Sequence, residues 1–98
     1  MTDTDWRNPH TQALFRAILT IETEDEASDF FRDLCTVREL EDMGQRWAVV
    51  RLLDEGHSYR EISDLSGAST ATITRINQWF TRGTGGYRTI LERVAAQS

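Results

Sequence analysis

Hydrophobic positions recur every three or four residues along nearly the whole chain, and no segment alternates with period two. Ala13, Leu14, Ala17, Ile18 and Ile21 predict a helix over 9–21, with Asn8 as cap and Pro9 at its first position. Ala27, Phe30, Phe31 and Leu34 form a second stripe behind Thr23 and Glu26, which are spaced as a capping box. Thr36 and Glu39 repeat that box and open the longest stripe: Val37, Leu40, Met43, Trp47, Val50 and Leu53, closed by Gly56. Ser58 and Glu61 make a third box ahead of Ile62 and Leu65, and Gly67 stops that short helix. Ser69 caps a fifth helix whose Ile73, Ile76 and Phe80 face inward. After the break Gly83-Thr84-Gly85-Gly86, a last helix over 87–96 carries Ile90, Leu91 and Val94. The expected fold is all-α, six helices in one domain over 1–98.

Ser58 to Phe80 is the segment that narrows function. Two short helices joined at a glycine have one common use in soluble proteins, seating the second helix in the DNA major groove. Gly67 supplies the left-handed backbone that the turn needs, and Ile73 and Ile76 anchor the second helix from inside. Ser69, Thr70, Ala71 and Thr74 are short and polar or small, as a helix entering a groove requires. Their methyls suit thymine methyls, and their hydroxyls suit base edges or phosphate. Arg60, Thr72, Gln78 and Arg82 are the candidates for holding the DNA backbone. The plain alternative is a threonine-rich start to an ordinary helical hairpin. Three threonines within five residues are poor helix formers, however, and costly on an exposed helix without a purpose.

The stripes of the first three helices contain Phe15, Phe30, Phe31 and Trp47, more aromatic surface than a chain of 98 residues readily covers. A homodimer with its interface in residues 9–57 is therefore expected, a compact monomeric bundle being the alternative. Residues 58–82 would form the helix-turn-helix, and residues 87–96 the C-terminal helix.

Charge qualifies this picture. The net charge is −5, which opposes nucleic acid. Residues 1–57 hold 13 acids and 6 arginines, whereas residues 58–98 hold 3 and 5, giving −7 and +2. The acidity thus belongs to the half not expected to meet DNA. All 11 basic residues are arginine, the residue suited to bidentate contacts with guanine and phosphate. No apolar run nears the roughly 20 residues of a membrane span, and the polar N-terminus is unlike a signal peptide, so a cytoplasmic location is expected. Cys35, alone in an apolar pattern, reads as a buried inert thiol. His10 and His57 lack cysteine partners, so no metal is expected. No cofactor is expected either. With no nucleophile set and no phosphate loop (GTGGYR is too short and misplaced for one), the chain is not expected to be an enzyme.

The segment GASTATITRINQW resembles the recognition segment of the tryptophan repressor, with Ala71-Thr72-Ile73-Thr74-Arg75 matching outright. The likeness extends to Leu34-Cys35-Thr36 and to Gln45-Arg46-Trp47. From Leu14 to Arg88, including FFRDLCTVREL and GTGGYR, the chain is still more similar to the YerC/YecD family of repressor-like proteins. That resemblance implies an intertwined homodimer: helices one to three interlock, helices four and five form the reading head, and the sixth packs back on the partner. It implies a sequence-specific transcriptional regulator, with double-stranded DNA as partner. A dimeric protein-binding module that has kept the scaffold with weak DNA affinity is the alternative, and the net charge favours it.

The resemblance also bears on an effector. In the repressor, tryptophan lies between the central and recognition helices, flanked by two arginines. Arg46 and Arg75 fall at the matching positions, and Thr36 matches a threonine beside the pocket. Two positions depart: Ile76 replaces a glycine that leaves room for the ligand, and Trp79 replaces a serine near its ammonium. Both side chains are expected to fill such a pocket, so free tryptophan is not expected to bind. Without a ligand, Arg46 is expected to pair with Glu39 or Asp42, and Arg75 to meet phosphate.

Overall fold

The computed structural model describes residues 6–97, of which most lie in six α-helices with no strand among them. These are α1 (Pro9–Ile18), α2 (Glu24–Leu34), α3 (Val37–Asp54), α4 (Tyr59–Ser66), α5 (Thr70–Arg82) and α6 (Gly86–Ala96). No helix among the described residues is long and apolar enough to cross a membrane. The chain divides into two compact units, Met1–Leu40 and Glu41–Ser98. The division falls inside α3 rather than at residue 57, because the later part of α3 belongs to the core of the second unit.

Local chemistry sets most helix ends. The Asn8 side chain accepts from the His10 and Thr11 amides at the start of α1. Thr36 and Glu39 cap α3 reciprocally, at 2.8 and 3.1 Å. The α2 box is looser: Thr23 accepts from the Glu26 amide, but the Glu26 carboxylate reaches past Thr23 to the amide of Glu22. Gly56 closes α3 at a φ of 86°. The His57 amide there donates to the Leu52 carbonyl and the Gly56 amide to that of Leu53, the paired bonds of a Schellman ending.

Two ends depart from the hydrophobic pattern. α1 stops at Ile18, three residues before Ile21. The Thr20 hydroxyl and amide both donate to the Ala17 carbonyl, and the Ile21 amide donates to that of Ile18. These shorter-range bonds turn the chain out of the helix before its apolar period is complete. α6 begins at Gly86, one residue early, because Gly85 takes a left-handed conformation and serves as its cap.

Within the first unit Trp6 meets Phe15 edge-on, and Phe30 meets Phe31 likewise. No described residue of this unit is fully buried. Cys35, expected inside, is only half-buried. It sits at the end of α2, where its amide donates to the Phe31 carbonyl, rather than on the stripe formed by Phe30, Phe31 and Leu34.

The second unit encloses a real core. Val49 and Val50 of α3, Ile62 of α4, Ala68 of the turn, and Ile73, Ile76 and Phe80 of α5 are all buried together. Trp47, Leu52, Leu53, Tyr59, Tyr87 and Leu91 pack around them half-buried. α6 is tied on by Trp47 against Tyr87 and by the Arg88 guanidinium lying 4.7 Å from the Phe80 ring centre, a cation–π contact.

Candidate nucleic-acid interface

α4 and α5 form the helix-turn-helix. The Ser58 and Glu61 side chains cap α4 reciprocally, and Gly67 ends it at a φ of 76°. The Gln45 amide reaches from α3 to the Ser66 carbonyl at 3.2 Å, holding the turn against the central helix. The Ser66 hydroxyl closes back on the Ile62 carbonyl and accepts from the Ala68 amide. With the Gly67 amide donating to the Ser63 carbonyl, these bonds satisfy several of the backbone groups at this sharp turn.

α5 divides cleanly by its period. Ile73, Ile76 and Phe80 are buried on one face. Thr70, Ala71, Thr74, Arg75, Gln78 and Arg82 are exposed on the opposite one, and Arg60 is exposed on α4. Thr72 stands apart, half-buried on the flank of α5.

Hydrogen bonding sorts these candidates further. The Ser69 hydroxyl accepts from the Thr72 amide and donates to the Thr72 hydroxyl, so its first role is to cap α5. The Thr74 hydroxyl donates to the Thr70 carbonyl at 2.9 Å, which leaves its methyl and its lone pairs outward. Thr74 can therefore offer an apolar contact and an acceptor, but not a donor, without breaking that bond. Thr70, Ala71, Gln78, Arg60 and Arg82 carry no such internal tie.

At the start of α4 the Glu61 carboxyl is held below the usual carboxylate range. The causes are the Ser58 amide, then the Ser58 hydroxyl, then His57. His57 lies between Glu55 and Glu61, at 3.3 and 3.6 Å. Of these three, only Glu61 lies on α4, directly after Arg60.

Arg46 and Arg75 do come together. With Asp42, Gln45 and Thr72 they line a cleft of about 190 Å³. Asp42, expected from its spacing to pair with Arg46, lines this cleft with it, and Gln45, one residue before Arg46 on α3, is a lining residue that the sequence reading did not assign to it. Arg46 forms no ion pair with Glu39 or Asp42: the Glu39 carboxylate is engaged by the Thr36 amide instead, and the ion pairs among the described residues are those of His57. Ile76 and Trp79 do not fill this cleft. Ile76 is 1% exposed within the core of the unit. Trp79 is 53% exposed and lines a separate cavity of about 550 Å³ with Trp47, Tyr87, Ile90 and the Gly83–Gly86 turn. Thr36 lies in the first unit, at the cap of α3.

The profile of the Trp repressor protein family matches residues 9–95. Over 88 residues the chain is 40% identical to an uncharacterized protein, YerC, of Bacillus subtilis (strain 168), spanning 90% of this chain and 85% of that one. A solved TrpR like protein from Eubacterium eligens superposes with a TM-score of 0.91 at 39% identity, over 95% of this chain and 96% of that one. A candidate Trp repressor from Staphylococcus aureus superposes at 0.90 with 40% identity, over 97% and 95% respectively.

Proposed function

The chain belongs to the Trp repressor family, and from that membership we propose that it is a homodimeric, sequence-specific DNA-binding regulator, most simply a repressor. The observation that carries this reading is the exposed face of α5. Short side chains occupy its start and arginine its end, on a helix whose other face is locked into a core. Thr70, Ala71 and Thr74 would meet base edges, with Ser69 contributing where its cap allows. Arg60, Thr72, Gln78 and Arg82 would hold phosphates. Two such heads on a two-fold dimer read half-sites about 34 Å apart, hence a pseudo-palindrome.

The uncovered apolar surface supports the dimer. Phe15, Leu19, Leu34 and Val37 of the first unit are exposed, and so are Trp79, Ile90 and Val94 of the second. Scattered apolar residues on a surface are ordinary, but this many large ones on so small a chain call for a partner surface.

We further propose that free tryptophan is not the effector. The cleft between Arg46 and Arg75 is lined by polar and charged side chains alone. Its volume is below the roughly 300 Å³ at which ligand pockets begin, and an indole would find no apolar wall there. The reason differs from the expected filling by Ile76 and Trp79, but the prediction is the same.

Selection of bound fragments from a random DNA library tests the reading as a whole. Recovery of a palindromic consensus, with binding that weakens steeply as salt rises, is the expected result. Absence of any enriched sequence, together with capture of a specific protein, would favour the interaction module to which the net charge of −5 lends support. Calorimetry with tryptophan should show no saturable heat; micromolar binding would overturn the effector proposal.

A further inference from the structure

One hydrogen bond ties the two helices of the head to each other through side chains alone. Asn77 Nδ2 on α5 donates to Tyr59 Oη on α4 at 3.2 Å, and both residues are half-buried. Tyr59 is the first residue of α4, directly before Arg60. Asn77 directly precedes Gln78 and lies on the flank of α5, between its buried face and its exposed one. Around this bond the helices pack through an apolar seam, with Ile62 of α4, Ala68 of the turn and Ile73 and Ile76 of α5 in one buried cluster. Apolar packing is non-directional, so such a seam holds α5 on the core but by itself fixes its roll and tilt less tightly than a directional contact would. A hydrogen bond has a preferred length and angle, and it supplies that contact.

We propose that the Tyr59–Asn77 bond is a positioning device: it fixes the roll and tilt at which α5 presents Thr70, Ala71, Thr74 and Gln78, and thereby sharpens base discrimination. The inference rests on the DNA-binding reading above. The leverage is simple. A helix rises 1.5 Å per residue, so a tilt of about 5° moves the end of a thirteen-residue helix by roughly 1 Å relative to its middle. That is enough to spoil hydrogen bonds to base edges, which weaken steeply with geometry. Phosphate contacts by long arginines tolerate it. Tyr59 and Asn77 themselves touch no DNA in this account; they act through α5.

The test compares the full chain with Tyr59→Phe, Asn77→Ala and the double variant. Each is titrated with the duplex selected by wild type and with a scrambled duplex of equal length, and each is melted by circular dichroism. Tyr59→Phe keeps the packed ring and loses only the hydroxyl, so the fold is retained. The expected result is a drop of roughly three- to tenfold in the ratio of the two affinities, the equivalent of one ordinary hydrogen bond. The drop should lie on the selected duplex, with the scrambled one unchanged. Asn77→Ala should match it, and the double variant should lose no more than either single one. An unchanged ratio in Tyr59→Phe overturns the inference. So does equal weakening on both duplexes accompanied by a lowered melting temperature, which would be a merely structural role. If wild type itself shows no preference between the duplexes, the DNA-binding reading has failed, and the positioning role falls with it.

Discussion

In residues 41–98, seven side chains from three helices and a turn are shut away from solvent together; in residues 6–40, none is fully buried. The two regions have similar hydrophobic patterning, so the difference is not one of composition along a helix. It is one of partners. α3, α4 and α5 cross closely enough for Val49, Val50, Ile62, Ile73 and Ile76 to cover one another. In the first unit aromatic side chains touch in pairs, Trp6 ahead of α1 with Phe15 on it and Phe30 with Phe31 on α2, with Leu19 left 84% exposed. A region that satisfies its own apolar surface can hold α5 steady. A region that does not is the one that the proposed dimer would complete.

The largest test of that contrast is a cavity in the self-sufficient region. Ile73→Ala removes a fully buried side chain and should cost about 2–5 kcal/mol, a large share of the roughly 5–15 kcal/mol that holds a small domain folded. Chemical denaturation followed by circular dichroism reads this directly. A loss under about 1 kcal/mol would mean that the core of the second unit does not carry its stability.

The next test addresses the incomplete region. Phe15→Asp and Leu34→Asp change half-exposed positions. In a monomer such surface changes fall within about 0.5 kcal/mol. In a dimer each would remove about 1.5–3 kcal/mol of apolar burial, weakening association roughly ten- to a hundredfold. Sedimentation velocity across a concentration series separates the two. A wild-type chain that stays monomeric at high concentration would break the idea that the first unit is completed by a second copy.

What was legible in the sequence follows the same division. Caps and stops are local devices, so Ser58 with Glu61, Thr36 with Glu39, Gly56 and Gly67 could all be read from spacing and lie where expected. The inward face of α5 was legible too, because period alone assigns Ile73, Ile76 and Phe80 to one side. The failures are non-local or involve competing short-range bonds. Ile21 fits the period of α1, yet bonds around Thr20 end the helix first. Trp79 follows the core residue Ile76 on the sequence, but it lines a different cavity from Arg46 and Arg75. No spacing rule could have paired Tyr59 with Asn77, since their meeting depends on how α4 crosses α5.

Gly67→Ala probes the turn on which the head depends. A side chain at a φ of 76° is strained by about 1–2 kcal/mol, although an added Cβ would meet nothing closer than the Gln45 amide nitrogen at 3.8 Å. The cost is thus conformational and not a clash. A thermal melt should fall by about 4–8 °C per kcal/mol for a chain of this size. Loss of DNA affinity larger than the loss of stability would show that the turn sets the placement of α5 as well as its folding.

The smallest effect compares one device placed in both regions. Glu39 caps α3 at the edge of the first unit, and Glu61 caps α4 in the second; each carboxyl is held below its usual range, first by the backbone amide of its capping partner, Thr36 or Ser58, and then by that residue's hydroxyl. A carboxyl whose folded value is depressed binds fewer protons folded than unfolded near that range. Its contribution is therefore fully present above the ordinary glutamate value of about 4.3 and is lost as pH falls through the lower folded value. Side-chain carboxylate shifts followed by NMR should show both glutamates titrating below the ordinary glutamate value. Because Glu61 also faces His57, replacing His57 with Gln should move Glu61 upward slightly and leave Glu39 where it was. A Glu61 that titrates at the ordinary glutamate value would mean that its box is not held in solution, and that the start of α4, next to Arg60, frays where the core of the second unit was expected to hold it.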